Sequence, residues 1–94
     1  MSYLIVHHTV EDFARWKPYF DSDAGVRKAA GSQGGQLLRS AGNPNDVTIV
    51  FRWDSLEHAQ QFVQNPALAE IMHQAGVVGR PDIAFLEEVE QVAA

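Results

Sequence analysis

The segment Val47–Trp53 constrains the fold more than any other part of the chain, because neither face of the strand that it predicts is cleanly polar. Side chains of a strand point alternately to its two faces. One face carries Val47, Ile49, Phe51 and Trp53, and the other carries Thr48, Val50 and Arg52. An antiparallel sheet with one face in water normally alternates between apolar and polar residues. Both faces of this sheet therefore need a cover, and a second copy of the chain is the simplest cover for the face that helices leave open.

The other elements predict a single α+β domain over residues 1–94 in the order β-α-β-β-α-α-β. Strands are predicted at Tyr3–Thr9, Gln36–Ala41, Val47–Trp53 and Asp82–Val89. The segment Gly42–Asp46 has Pro and Asn at turn-favouring positions, so it joins two antiparallel strands, whereas Val77–Pro81 is predicted to be a loop. This order is typical of the ferredoxin-like split βαβ fold, a four-stranded antiparallel sheet with helices on one face.

The first helical region follows the first strand. Thr9 is expected to be its N-cap and Gly31 is expected to end it. Pro18 is expected to kink the helix or to start a second segment. The apolar face of this region is formed by Phe13, Trp16, Phe20 and Ala24, which are spaced by three or four residues.

The second helical region follows the third strand and divides in two. Asp54 or Ser55 is expected to cap the first part. Asn65-Pro66 restarts the helix, because Asn is a good N-cap and Pro suits the first helical position, and Gly76 is expected to end it. The buried sides of the two parts are formed by Leu56, Ala59, Phe62 and Val63, and by Leu68, Ile71, Met72 and Ala75.

Charge and composition exclude several classes of function. The chain has 94 residues, of which 7 are basic and 12 are acidic. The resulting charge of −5 argues against nucleic acid as a partner, because phosphate binding requires a surplus of Lys and Arg. No long apolar run is present, so no membrane span is predicted, and no secretory signal is visible. The absence of cysteine excludes disulfides and thiol nucleophiles and fits a cytoplasmic location.

Several segments resemble the dimeric α+β barrel superfamily, and within it the small antibiotic biosynthesis monooxygenase-like and cyclase-like proteins. The resemblance extends from Tyr3 to Val89, and it is carried by His7–Phe13 with Trp16 and Phe20, by Ala30–Ser32, by Phe51–Ala59 with Phe62, and by residues 68–81. It implies a homodimer whose two sheets face each other, with a pocket between each sheet and its own helices. Members of this group include cofactor-independent oxygenases, haem-degrading oxygenases and isomerases. The asparagines of this chain, all predicted in turns or caps, depart from the haem-degrading pattern.

The adjacent histidines His7 and His8 are the most conspicuous candidates for chemistry. One imidazole must face the helices and the other must face the expected dimer core, and the alternation alone does not decide which. If His8 follows Leu4 and Val6 beneath the helices, it is a candidate general base, because imidazole titrates near neutral pH. His7 is then a candidate for substrate binding. The alternative for His8 is a half-buried, hydrogen-bonded side chain without a chemical role.

His73, in the last turn of the final helix, is the second candidate base. It follows Met72 and therefore lies at the edge of the buried stripe, near the expected mouth of the pocket. Its alternative role is a favourable interaction of the imidazole with the C-terminal end of the helix dipole. No His, Asp or Glu spacing suits a metal site, so we expect neither a metal nor another cofactor.

Aromatic and arginine side chains complete the predicted site. A planar aromatic substrate needs an apolar cleft with a few convergent polar groups. The aromatic candidates are Trp16, Phe20, Phe51, Trp53 and Phe62, each of which is alternatively a plain core residue. Arg39 and Arg52 lie on neighbouring strands, where each is a candidate to bind a phenolate or a carboxylate, or alternatively to form a surface ion pair.

These features predict a small-molecule enzyme or binder that resembles cofactor-independent monooxygenases and takes an aromatic or polyketide-like substrate. In an oxygenase, His8 or His73 would remove a phenol proton, the carbanion would react with dioxygen, and Arg and Trp donors would stabilise the oxyanion. A cyclase or isomerase would use the same base to enolise its substrate. The remaining alternative is a non-enzymatic dimeric module that binds a ligand or serves a structural role.

Overall fold

A computed structural model describes all 94 residues and confirms the predicted order of elements. The elements are β1 Ser2–Val10, α1 Phe13–Ser22, α2 Ala24–Ala30, β2 Ser32–Ser40, β3 Asn43–Trp53, α3 Leu56–Gln64, α4 Pro66–Gln74 and β4 Val77–Glu87. The strands form one antiparallel sheet in the order β2-β3-β1-β4, as the ferredoxin-like fold requires. None of the helices combines the length and the apolar character that crossing a membrane demands.

The face of the sheet beneath the helices carries the core. In β3 every second side chain is buried, and the register places Val47 beside His8, Ile49 beside Val6 and Phe51 beside Leu4. The helices add three buried side chains to this cluster, namely Trp16, Ala59 and Ala75. The alternation of buried and less buried side chains along β3 arises because the helices exclude water from one of its two faces.

The opposite face of the sheet, called the open face below, is not covered by the helices. The strand register places these side chains on it: Tyr3, Ile5, His7, Gln36, Leu38, Thr48, Val50, Arg52, Asp82, Ala84 and Leu86. Leu38 and Leu86 are 47% and 46% exposed. The open face therefore has an apolar centre that is in contact with water in a single chain.

The start of the first helix differs from the prediction. Thr9 is not the N-cap, because β1 continues through it and pairs it with Asp46 and Val78. The N-cap is Asp12, whose carboxylate accepts a hydrogen bond of 3.0 Å from the backbone N–H of Ala14. Pro18 neither kinks the chain into two segments nor starts a helix, since α1 runs past it. The break comes at Asp23, which ends α1 and begins α2.

The strand bounds also differ. The predicted loop Val77–Pro81 is the first part of β4, where Val77 and Val78 pair with Val10 and Thr9. The register shifts between His7 and Thr9, and Gly79 has a φ of 69°. A bulge therefore lets β4 start early although it contains Gly and Pro.

Strand β3 includes most of the predicted turn Gly42–Asp46. Strand β2 begins at Ser32 and ends at Ser40, and β3 begins at Asn43, so only Ala41 and Gly42 lie between them. Asn43 pairs with Ser40 across this short connection. The hairpin is thus antiparallel as predicted, with a tighter turn.

The other caps are confirmed. The Ser55 side chain accepts a hydrogen bond of 3.1 Å from the backbone N–H of His58, and the Asn65 side chain accepts one of 3.0 Å from that of Ala67. Gly31 is the C-cap of α2 with a φ of 127°, a conformation that favours glycine. Gly76, with a φ of 86°, follows the end of α4.

Candidate active site

A cavity lies between the covered face of the sheet and the helices. It has a volume of about 580 Å³, open mouth included, and is called the slot below. Its apolar lining is formed by Val6, Trp16, Phe20, Ile49, Phe51, Phe62, Val63, Leu68, Ile71, Met72, Ala75 and Ile83. The only polar or charged lining residues are His8, Tyr19, Asp23 and Arg27.

His8 lies on the covered face of β1, so the open question of the two histidines is answered by the structure. The residue is 5% exposed, and neither Nδ1 nor Nε2 has a hydrogen-bond partner within the chain. Its ring meets the Trp16 indole edge-on, with the centroids 5.6 Å apart. Burial lowers the pKa of His8, and a positive charge on His7 lowers it further. The imidazole is thus neutral near pH 7 and has a free lone pair beside the cavity.

A row of aromatic rings forms one wall of the slot. The rings of Trp16 and Phe20 stack with their centroids 5.0 Å apart, and Phe20 stacks on Phe51 at 6.3 Å. The four-residue spacing along α1 brings the first two rings together. The row lines one side of the cavity with aromatic rings, and His8 lies at one end of it.

Arg27 and Asp23 stand at the far end of this row. The Arg27 guanidinium lies 4.0 Å from the centroid of the Phe20 ring, and its Nη1 donates a hydrogen bond of 2.8 Å to the Phe20 carbonyl oxygen. Burial lowers the pKa of Arg27, whereas the charges of Asp23 and Asp21 act in the opposite direction. Asp23 is 8% exposed, and its side chain makes no capping hydrogen bond at the start of α2.

Tyr19, Asp23 and Arg27 were not predicted from the sequence as site residues. Their spacing of four residues was a usable signal, because side chains at that interval lie on one face of a helix. The unexpected break at Asp23 does not disturb this arrangement. All three side chains reach the same cavity from α1, from α2 and from the junction between them.

Three predicted site residues do not line the cavity. Trp53 is 1% exposed and is packed behind the wall against Phe51 and Phe62, and its Nε1 has no hydrogen-bond partner. Arg39 pairs with Val47 in the sheet, and its guanidinium lies 4.4 Å from the centroid of the Phe13 ring. Arg52 is on the open face, where it donates a hydrogen bond of 3.3 Å to the Gln33 carbonyl oxygen. The two arginines are thus on opposite faces of the sheet.

His7 and His73 also lie outside the cavity. His7 is on the open face, where its Nε2 is 2.5 Å from a carboxylate oxygen of Asp46 and its Nδ1 is 3.5 Å from one of Asp82. The hydrogen bond to Asp46, supported by Asp82, raises the pKa of His7. His73 is exposed on the last turn of α4 and is not among the lining residues. The structure therefore brings together His8, Trp16, Phe20, Phe51 and Phe62 of the predicted set. Nowhere do three His, Cys, Asp or Glu side chains form a group that could hold a metal ion.

Comparisons with known proteins agree with this architecture. The family model described as antibiotic biosynthesis monooxygenase matches residues 9–74. A Bordetella bronchiseptica structure that bears the same family name superposes with a TM-score of 0.78 at 19% identity, covering 95% of this chain and 97% of that one. SnoaB, a cofactor-independent oxygenase from Streptomyces nogalater, gives a TM-score of 0.78 at 13% identity, with 99% and 97% covered.

A third structure, Rv0793 from Mycobacterium tuberculosis, gives a TM-score of 0.72 at 12% identity, with 98% of each chain covered. At these identities the likeness establishes a common fold. A search of curated proteins found no match.

Proposed function

The chain belongs to the antibiotic biosynthesis monooxygenase family, and from that premise we propose that it is an oxygenase for a planar aromatic substrate. The reaction takes place in the cavity beneath the helices, with His8 as general base. One observation carries this proposal: a buried imidazole with both nitrogens unpaired stands beside a slot lined mainly by apolar side chains. Leaving such a group unpaired costs free energy in the empty site, and a substrate proton donor removes that cost.

The base step follows from the state of His8. A neutral imidazole accepts a proton, and the lowered pKa keeps it neutral across the physiological range. The acidic group of the substrate is a phenol, or a carbon whose anion is delocalised through the ring system. The aromatic wall of Trp16 and Phe20 holds the substrate plane against the base.

The oxygen step requires no reductant, because the substrate supplies the electrons. For anthrone, His8 removes one proton of the central methylene, and the carbanion adds to dioxygen to give a peroxide that takes the proton back. Loss of the second methylene proton then breaks the O–O bond and leaves a carbonyl. One oxygen atom remains in anthraquinone and the other leaves as water.

The test uses anthrone as substrate and follows oxygen uptake together with anthraquinone formation. We expect protein-dependent uptake of one dioxygen per anthraquinone above the spontaneous rate, and one labelled oxygen atom in the product when ¹⁸O₂ is supplied. Heat-denatured protein is the control. A rate no higher than that of the control for anthrone and for hydroxylated anthrones would overturn the proposal.

We also propose that a second copy of the chain covers the open face. The support is the apolar centre of that face, where Ile5, Val50, Leu38 and Leu86 lie on neighbouring strands. A sheet whose two faces are both apolar buries more surface by pairing than a chain of this size buries alone.

A further inference from the structure

Asp23 is a buried carboxylate without a partner. It is 8% exposed, lines the cavity, and accepts no hydrogen bond from any group of the chain through its side chain. No cationic side chain lies within 4.0 Å of it, although Arg27 is one helical turn away. The Asp23 carboxylate oxygens are therefore free to accept a hydrogen bond from a ligand in the cavity.

Arg27 offers the complementary groups. Only Nη1 is used within the chain, in the hydrogen bond to the Phe20 carbonyl oxygen. That bond and the contact with the Phe20 ring fix the guanidinium against the wall of the slot. The N–H groups on Nη2 and Nε have no partner in the chain. Arg27 thus presents fixed donors within the same cavity in which Asp23 presents an acceptor.

We propose that Asp23 and Arg27 form a donor–acceptor site that selects substrates with two oxygens on adjacent carbons, of which at least one is a hydroxyl. The hydroxyl donates to the Asp23 carboxylate, and the neighbouring oxygen accepts from the Arg27 guanidinium. The inference rests on the proposed function, since it concerns the end of the same cavity that is remote from His8. It gives Asp23 and Arg27 a role in specificity and leaves the proton transfer to His8.

The test compares the binding of 2,3-dihydroxynaphthalene and naphthalene by equilibrium dialysis. Moving the two hydroxyls from water into the slot costs desolvation free energy. The diol therefore binds more tightly than naphthalene only if its hydroxyls form hydrogen bonds there. We expect the diol to bind at least about tenfold more tightly than naphthalene to the native chain, the equivalent of one hydrogen bond to a charged group. Asp23→Leu and Arg27→Met are each expected to weaken diol binding and so to reduce this preference to below about threefold.

Matched controls change the same charges outside the cavity. Asp21→Asn and Lys28→Met lie on the same helices, their native side chains do not line the cavity, and they are expected to retain the preference of the native chain. If Asp23→Leu or Arg27→Met fails to fold, Asp23→Asn and Arg27→Lys replace them. These keep the size of the side chain while removing the charge or the planar fork.

The outcomes separate this inference from the proposed function. An equal preference for the diol in the native chain and in the Asp23 and Arg27 variants would overturn the donor–acceptor site and leave oxygenation by His8 intact. Normal selection of the diol with no oxygen uptake from anthrone would overturn the oxygenase alone. If the native chain bound neither probe, both the donor–acceptor site and the proposed oxygenase function would be overturned.

Discussion

The imidazole of His8 stands edge-on to the indole of Trp16, with the ring planes at 79° and the centroids 5.6 Å apart. No hydrogen bond orients this imidazole, because both ring nitrogens are unpaired. Packing against the indole and the neighbouring strand therefore sets its direction. A base that is fixed by packing needs no hydrogen bond within the chain to hold it. The core of the protein therefore orients the proposed base and leaves both of its nitrogens unpaired.

Replacing His8 with Phe tests the base directly. The Phe ring keeps the aromatic contact with Trp16 and removes both unpaired nitrogens, so we expect the melting temperature to stay the same or to rise. Oxygen uptake with anthrone is expected to fall by about 10²–10⁴-fold in kcat. The controls His58→Gln and His73→Gln alter exposed histidines outside the cavity and should keep the native rate. A fully active His8→Phe protein would remove His8 from the mechanism.

The pH dependence of turnover provides a second test of His8. A general base works when it is deprotonated, and the pKa of His8 is lowered from its ordinary value of about 6.5. We therefore expect kcat/KM for anthrone oxidation to fall on the acidic side with a midpoint below about pH 6.5. An acidic midpoint above about 6.5 would contradict the assignment of this titration to a desolvated imidazole.

The face of each strand could be predicted from the sequence because strand periodicity is local. The alternation in β3 marked Val47, Ile49, Phe51 and Trp53 as one buried set, and the structure confirms it. The roles of Arg39 and Arg52 depended on register, which a sequence pattern does not fix when both faces of a strand are apolar. Register places these arginines on opposite faces of the sheet, so they cannot act on one ligand together.

The polar end of the cavity was harder to predict for a different physical reason. Asp23 and Arg27 are charged, and charged residues of a surface helix normally lie on its exposed face. They line the cavity because their four-residue spacing is maintained across the break between α1 and α2 at Asp23. That break is a tertiary event, and Pro18 was a misleading local signal for its position.

The interaction of His7 with Asp46 and Asp82 predicts a pH-dependent contribution to stability. The carboxylates raise the pKa of His7 in the folded chain. The stabilisation is fully present below the ordinary pKa of about 6.5 and is lost as the pH rises through the raised value. We expect the free energy of unfolding of the native chain, relative to His7→Gln, to be larger at about pH 5.5 than at about pH 9. Urea denaturation at both pH values measures this difference, and an equal difference at the two would contradict the expectation.

The proposed dimer predicts a mass in solution of twice the chain mass of 10.4 kDa. Leu38→Glu combined with Leu86→Glu places one charge on each outer strand of the open face, and we expect this variant to be monomeric. The control Val26→Glu changes a residue that is 55% exposed on α2 and should remain dimeric. Light scattering after size-exclusion chromatography gives the mass. A native chain that is monomeric at about 100 µM would contradict the proposed dimer.

The close approach of β2 to β3 predicts opposite effects of one substitution at two glycines. A Cβ on Gly35 would lie 1.8 Å from the carbonyl oxygen of Val50, so the paired strands must move apart in Gly35→Ala. We expect its free energy of unfolding to fall by about 1–3 kcal/mol or more. A Cβ on Gly25, within α2, meets no atom within 4 Å, so Gly25→Ala should raise stability by about 0.5–1 kcal/mol through helix propensity. Urea denaturation of both variants at one pH compares them, and a Gly35→Ala chain as stable as the native one would show that β2 and β3 are not held this closely.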